Sequence, residues 1–363
     1  MKRELVFDLI RLSVGDNSNA NFESLTNLDE ESWTWVYNML AMHGVAAIVC
    51  SGIERNTCGI KPPADVLVNF VAADMKSKRS YARLQNLTNK LENLMKANNV
   101  KCLLLKGFSL AEYYPKPELR NFADIDIYAP NAEKKVDDLF LSKGVDVHTH
   151  FYRHSHVTLG GVKVENHHYL LDVRGRKKLA ILDADLKSVA TKHLSSFENP
   201  GLYYPDARFS LIFNLHHAMS HFIYEGISFK FLVDWIYFLR KEKTLLETDD
   251  VAKTLNQHRL LKFAAVMSYV SVQYLGLDIE DVPEYLRREM DTLEPRVIER
   301  FLDDLFRPLE IVHKKNILAE RLNSVRRIIK ASWKPKEFLG QCAVGFVWNK
   351  FLPIIMGRTF EAD

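Results

Sequence analysis

Arg120-Asn121-Phe122-Ala123-Asp124-Ile125-Asp126-Ile127-Tyr128 alternates carboxylate and isoleucine in its second half, the pattern of a β-strand with one polar and one apolar face. Residues i and i+2 of a strand project to the same side, so Asp124 and Asp126 stand side by side while Ile125 and Ile127 pack the other way. Two carboxylates that close repel each other unless a cation lies between them. Hard oxygen donors in such a pair suit Mg²⁺, which takes one or two carboxylates and completes its shell with water and substrate phosphates. The chemistry implied is phosphoryl or nucleotidyl transfer. An Asp-x-Asp pair alone is a weak signal, but its surroundings strengthen it. Upstream, Leu103-Leu104-Leu105 reads as a short buried strand, Lys106-Gly107 breaks it, and Ser109 to Tyr114 reads as one or two helical turns. A strand that feeds a glycine turn and a helix start presents backbone N–H groups, and the Ser109 hydroxyl, to an anion. Lys106 and Arg120 add positive charge beside it.

These residues carry a resemblance. Lys106-Gly107-x-x-Leu110, the Tyr113-Tyr114-Pro115 segment, Arg120 and Asp124-Ile125-Asp126-Ile127 resemble the large bacterial family of uncharacterised nucleotidyltransferases built on the DNA polymerase beta type fold. In that superfamily a Gly-Ser turn after the first core strand holds the nucleotide phosphates, and three carboxylates on neighbouring strands bind two Mg²⁺ ions. The resemblance therefore implies two Mg²⁺, with Mn²⁺ as an alternative, and a third carboxylate. Val162-Lys163-Val164-Glu165-Asn166-His167 is similar to the family segment in which a strand glutamate is followed two places on by histidine. Glu165 then completes the metal set with Asp124 and Asp126, and His167 beside it orients a carboxylate or meets phosphate. Lys106, Gly107, Ser109 and Arg120 fall to the nucleotide phosphates. The chain departs from the broader pattern at Gly107-Phe108-Ser109, where the serine is displaced by one residue. The resemblance covers roughly residues 100–170 and weakens over the helical remainder, where His216-His217-Ala218, His221 and Phe231-Leu232-Val233-Asp234-Trp235 are similar to the family's histidine-rich helix and the helix after it.

With 363 residues, 47% of them hydrophobic, the chain can bury a sizeable core. A net charge of +3, spread over 49 basic and 46 acidic residues, supplies no basic track for nucleic acid. Acids interrupt the start of the chain, so no signal peptide is read there, and no apolar run reaches the length of about 18 residues needed to span a bilayer. A cytoplasmic location is expected. Cys50, Cys58, Cys102 and Cys342 lack metal-ligand spacing and read as thiols.

Periodicity divides the chain into an N-terminal helical region (1–100), a nucleotidyltransferase-type core with a mixed β-sheet (101–198) and a C-terminal helical domain (206–363), an α+β fold overall. Helices are predicted over 5–12, 33–54 and 64–98, the last as one helix or two with a kink. In the core, a helix is predicted over 133–142 and strands over 145–151, 156–159 and 162–171, with Gly160-Gly161 as a hairpin turn. Residues 16–27 and 197–205 read as unstructured, the latter as the link to the bundle. Beyond it, helices are predicted over 207–223, 230–241, 249–257, 260–275, 295–306, 317–331 and 336–351.

His217 and His221 share a helix face at i, i+4, the spacing of metal-binding pairs, but no third ligand accompanies them. Satisfied or substrate-contacting histidines are the plainer reading. Asp172 competes with Glu165 as third carboxylate, and its neighbour Arg174 makes an ordinary ion pair the simpler account of it. Asp234 reads as a packing or hydrogen-bonding residue. The expected reaction moves a nucleoside monophosphate from a nucleoside triphosphate, ATP by default, to a hydroxyl acceptor of unidentified kind (small molecule, sugar or protein), expelling pyrophosphate, with Glu165 helping the hydroxyl lose its proton. A non-catalytic nucleotide-binding or scaffold protein with a decayed site is the alternative.

Overall fold

A computed structural model describes residues 2–15, 22–26, 28–174, 177–307 and 330–340. The chain opens with helices α1 (Lys2–Val14), α2 (Glu23–Thr26), α3 (Glu30–Met42), α4 (Ala46–Arg55) and α5 (Ala64–Ala97). Asp29 starts α3 by accepting the Ser32 N–H at 2.8 Å. The single helix predicted over 33–54 is two helices. The chain turns at His43-Gly44, where Gly44 adopts φ 72°, a left-handed conformation that ends a helix and that glycine takes without steric cost. The segment 64–98, by contrast, is one unbroken helix, with Pro63 just ahead of its first turn.

The core follows as β1 (Lys101–Leu105), α6 (Gly107–Ala111), β2 (Asp124–Tyr128), α7 (Glu133–Ser142), β3 (His154–Leu159), β4 (Val162–His167), α8 (Lys177–Ser195) and β5 (Gly201–Tyr203). The five strands form one mixed sheet in the order β3-β4-β2-β1-β5. β2 runs antiparallel to β1 and parallel to β4, β3 and β4 form a hairpin, and β5 lies parallel to β1. Gly160 and Gly161 both take positive φ in the hairpin turn, as a tight two-residue connection requires.

Further expectations are corrected here, beginning with the stretch 16–27, read as unstructured, which holds α2. Residues 145–151 form no strand, and His148 alone bridges to His156. The stretch 197–205, read as a link, contributes β5 to the sheet edge. Helix α8 was not anticipated. A three-residue strand is too short to show a period, and sheet pairing supplies what local pattern lacks.

The bundle comprises α9 (Ala207–Tyr224), α10 (Phe229–Leu246), α11 (Asp249–Gln257), α12 (Leu261–Leu275), α13 (Glu284–Met290), α14 (Pro295–Leu305) and α15 (Trp333–Leu339). Most of the helix predicted over 317–331, and the part of 336–351 beyond residue 340, lie outside the described residues, as does Cys342. No helix among the described residues is long and apolar enough to cross a membrane.

Each face of the sheet has its own apolar core. Ile125, Ile127, Val157, Val162 and Val164 pack with Leu84, Leu91 and Met95 of α5 and Val136 and Phe140 of α7. Leu103, Leu105 and Tyr128, on the face that carries the aspartates, belong to the larger core formed by the helices on either side of the sheet in sequence. The carboxylates are thus enclosed between the sheet and the helical bundle.

His43 links these parts. Buried at the α3–α4 turn, it accepts the backbone N–H of Phe229 at 3.2 Å through Nδ1, tying down the start of α10. Burial pushes its pKa down to about 4. Because an unfolded histidine titrates near 6.5, the unfolded chain takes up this proton first as pH falls. Stability is therefore lost between pH 6.5 and 4, by about 3 kcal/mol from this group. Urea unfolding at pH 7 and pH 4.5 should show a smaller acid-side loss for His43→Gln than for wild type.

Candidate active site

The register of the sheet builds the site. Asp126 of β2 pairs with Glu165 of parallel β4 and with Leu105 of antiparallel β1, so Lys106 follows directly beside it. Directly paired residues project to the same face, and two residues further along β4 that face carries His167. Asp126 Oδ1 receives the Lys106 ammonium at 2.7 Å and lies 2.9 Å from His167 Nε2. Glu165 Oε2 lies 4.0 Å from Lys106 Nζ and 3.7 Å from His167 Nε2, while Lys163 reaches Oε1 at 2.6 Å. His154, paired with His167 across the β3–β4 hairpin, comes within 3.8 Å of Glu165 Oε1. Asp124, opposite Lys163, is the most accessible of the three carboxylates.

Electrostatics separates these acids. Burial works to raise the Asp126 pKa, but the Lys106 charge and the His167 hydrogen bond outweigh it and hold the carboxyl well below the usual range. Glu165 is likewise lowered: burial and the Asp126 charge push it up, and Lys106, His167 and Lys163 more than offset them. Asp124 moves the other way, raised by burial and then by the charge on Asp126.

The turn before the site is tightly constrained. Lys106 sits at φ 42°, ψ −104°, strain that a non-glycine residue bears only where its surroundings enforce it. Gly107 faces the Phe122 ring so closely that a Cβ would meet Cδ2 at 2.5 Å. The Ser109 hydroxyl, expected at phosphate, is buried and donates to the Lys106 carbonyl at 3.1 Å. Lys106, expected on the triphosphate, is bonded to Asp126.

Arg120 changes role most clearly. It is buried, donates through Nε and Nη2 to the two oxygens of Asp234 at 2.8 and 2.9 Å, and gives Nη1 to the Gly107 carbonyl at 3.2 Å. Tyr114 adds its hydroxyl to Asp234 Oδ1 at 2.8 Å. The expectation that Arg120 contacts phosphate gives way to a positioning role: a bidentate clamp joins the glycine turn and the approach to β2 to the middle of α10. Asp234 is the hydrogen-bonding residue expected. Asp172 lies in the ion pair expected of it, with Arg174 Nε at 2.9 Å.

Opposite the sheet, α9 and α10 place His217, His221 and Phe231 together, the two imidazoles in an edge-to-face contact with centroids 4.5 Å apart. His221 Nδ1 is 2.7 Å from Glu225. Burial, then the charges of Lys106, His221 and Arg153, keeps His217 neutral to well below its ordinary pKa. Among the described residues these two histidines are not part of a metal-ligand cluster.

The cluster that does have ligand spacing is Asp126, Glu165 and His167, whose donor atoms lie within 4.8 Å of one another. Two features bear on whether it could hold a cation. Asp126 Oδ2 is buried without a hydrogen-bond partner, so one lone-pair face of the most ionised carboxylate is left to a ligand. His167 Nδ1 lies 3.3 Å from the Tyr169 carbonyl, which orients the ring with Nε2 toward Asp126. The sequence placed His167 next to Glu165, to orient a carboxylate or meet phosphate; that it bonds Asp126 and lies within ligand distance of both carboxylates emerges only from the fold.

The sequence model of a family described as uncharacterised nucleotidyltransferase matches residues 29–276, a span that includes the whole sheet and the helices facing it. The chain belongs to that family. No curated protein and no solved structure matches it. Family membership makes the chain a nucleotidyltransferase whose substrate is a nucleoside triphosphate.

Removing one partner of a buried, bidentate pair strands the other charge. Asp234→Ala should lower the unfolding free energy of this nucleotidyltransferase by about 3–5 kcal/mol in urea titration. Asp138→Ala, which breaks the exposed Lys134–Asp138 pair, should leave the midpoint essentially unchanged.

Proposed function

We propose that the protein transfers a nucleoside monophosphate from a nucleoside triphosphate, ATP by default, to a hydroxyl on a small molecule, sugar or protein, releasing pyrophosphate. The observation that carries this reading is the convergence of Asp126, Glu165 and His167 around a buried carboxylate oxygen that has no partner. In this reading Asp126, Glu165 and His167 hold the divalent ion, Mg²⁺ or Mn²⁺, and Asp124 supports a second ion when nucleotide is bound. Bound there, such ions supply charge neutralisation and alignment of the triphosphate.

The residues themselves set the rest of the chemistry. The acceptor oxygen attacks the α-phosphorus in line, the bond to the bridging oxygen breaks, and pyrophosphate leaves with that electron pair. Glu165, held in its ionised form beside Lys106, His167 and Lys163, is in the state that can help the acceptor hydroxyl lose its proton. The Arg120–Asp234 clamp holds the glycine turn in register with α10, so the cleft keeps its width.

A second reading, a non-catalytic nucleotide-binding or scaffold protein, rests on Lys106, whose ammonium already neutralises Asp126 at 2.7 Å without an ion. Calorimetry with the four ribonucleoside triphosphates, with and without Mg²⁺, separates the two. The transferase reading expects Mg²⁺-dependent binding that disappears in Asp124→Asn/Asp126→Asn, and binding indifferent to Mg²⁺ favours the second. Asp126→Asn alone should reduce turnover by at least about a thousandfold, since several kcal/mol of charge stabilisation are lost, with the circular-dichroism spectrum unchanged. Turnover near wild type would sink the assignment of Asp126.

A further inference from the structure

A bound triphosphate brings several negative charges into a partly desolvated cleft, and at least one cation must meet them directly. The two cations beside the glycine turn are committed elsewhere, Lys106 to Asp126 and Arg120 to Asp234 and the Gly107 carbonyl. Lys163, on the edge of the cluster, is bonded to Glu165.

Lys230 is not committed in this way. It is the second residue of α10, one turn before Asp234 and on the same helix face. A Lys-Asp pair at i, i+4 ordinarily closes into an ion pair. Here Asp234 already serves Arg120 with both oxygens and Tyr114 with one, and among the described residues Lys230 makes no ion pair. Its half-buried stem passes Gly44, where a Cβ would lie 3.7 Å from its Cδ and 3.6 Å from Asn121 Nδ2. Asn121 precedes Asp124 by three residues, so the lysine stands over the entry to the aspartate strand. Its charged surroundings are Arg120, Asp234 and Asp124. Desolvation of a lysine without a carboxylate partner is unfavourable, and an incoming phosphate relieves it.

From this placement we infer that Lys230 is a phosphate-binding residue of the active site, its ammonium meeting the polyphosphate of the nucleoside triphosphate at the Asp124 end of the aspartate strand. The inference rests on the reaction class proposed above and adds to it a contact from the helical domain. Burial, and then the Arg120 charge, lowers the pKa of Lys230, consistent with a cation that has no anion of its own. Because α10 also carries Asp234, the clamp that positions the glycine turn positions this ammonium as well.

The test compares wild type with Lys230→Gln and Lys230→Arg by calorimetry, using ATP, AMP and inorganic tripolyphosphate in excess Mg²⁺. Metal binding without nucleotide is followed by the electron-spin resonance of Mn²⁺. Lys230→Gln should weaken ATP and tripolyphosphate at least about tenfold, the worth of one charge-assisted hydrogen bond, and AMP less. Lys230→Arg should recover part of the loss, and Mn²⁺ binding should be unchanged in both. Since no ion pair is broken, the thermal midpoint of Lys230→Gln should not fall, unlike that of Asp234→Ala. Wild-type binding of ATP matched within twofold by Lys230→Gln would overturn the inference and leave the transferase reading standing. Absence of triphosphate binding by wild type would overturn both.

Discussion

Three carboxylates brought onto one enclosed sheet face are the constraint around which this molecule is arranged. Parallel pairing of β2 with β4 sets Asp126 directly against Glu165, and strand alternation adds Asp124 on the same side. Such an assembly is unfavourable unless cations and hydrogen-bond donors surround it. Lys106, Lys163 and His167 do so, and each is held by the same register: one at the end of β1, two on β4. Lys106, the residue that takes the strained turn, is also the one that neutralises Asp126.

A second layer of polar contacts fixes this site to its helices. Arg120 and Asp234 form a buried pair satisfied on nearly every side, and His43 caps the start of the same helix from the N-terminal region. Buried pairs of this kind contribute little net stability relative to apolar packing, but they tolerate one geometry only. Here that geometry sets how α10, with Asp234 and Lys230, lies against the glycine turn. The helical regions before and after the sheet therefore take part in fixing the site.

Local pattern revealed a large part of this. The Asp-Ile-Asp-Ile alternation located β2 and its polar face, and the glycine pair at 160–161 located the hairpin that leads to Glu165. Long helices with a clear apolar stripe, such as α5, were equally plain. The break at Gly44 was missed because apolar residues continue through it, and β5 because three residues show no period. Arg120 was assigned to phosphate because a cation near a phosphate turn has that meaning in one dimension. Its partner Asp234 is more than a hundred residues away in the chain.

By itself, then, the sequence determined the mixed α+β class, the strand that bears the aspartates and the Asp172–Arg174 ion pair, since these follow from periodicity and nearest-neighbour chemistry. Only the tertiary structure decided what each charge is used for. It joined Lys106 to Asp126, set Arg120 as a clamp on Asp234, brought His167 within ligand distance of Asp126 and Glu165 and, among the described residues, left Lys230 without an ion pair. The physical reason is that ionic and hydrogen-bond partners are selected by distance and burial across strands and helices, and neither is written in the spacing of residues along one chain.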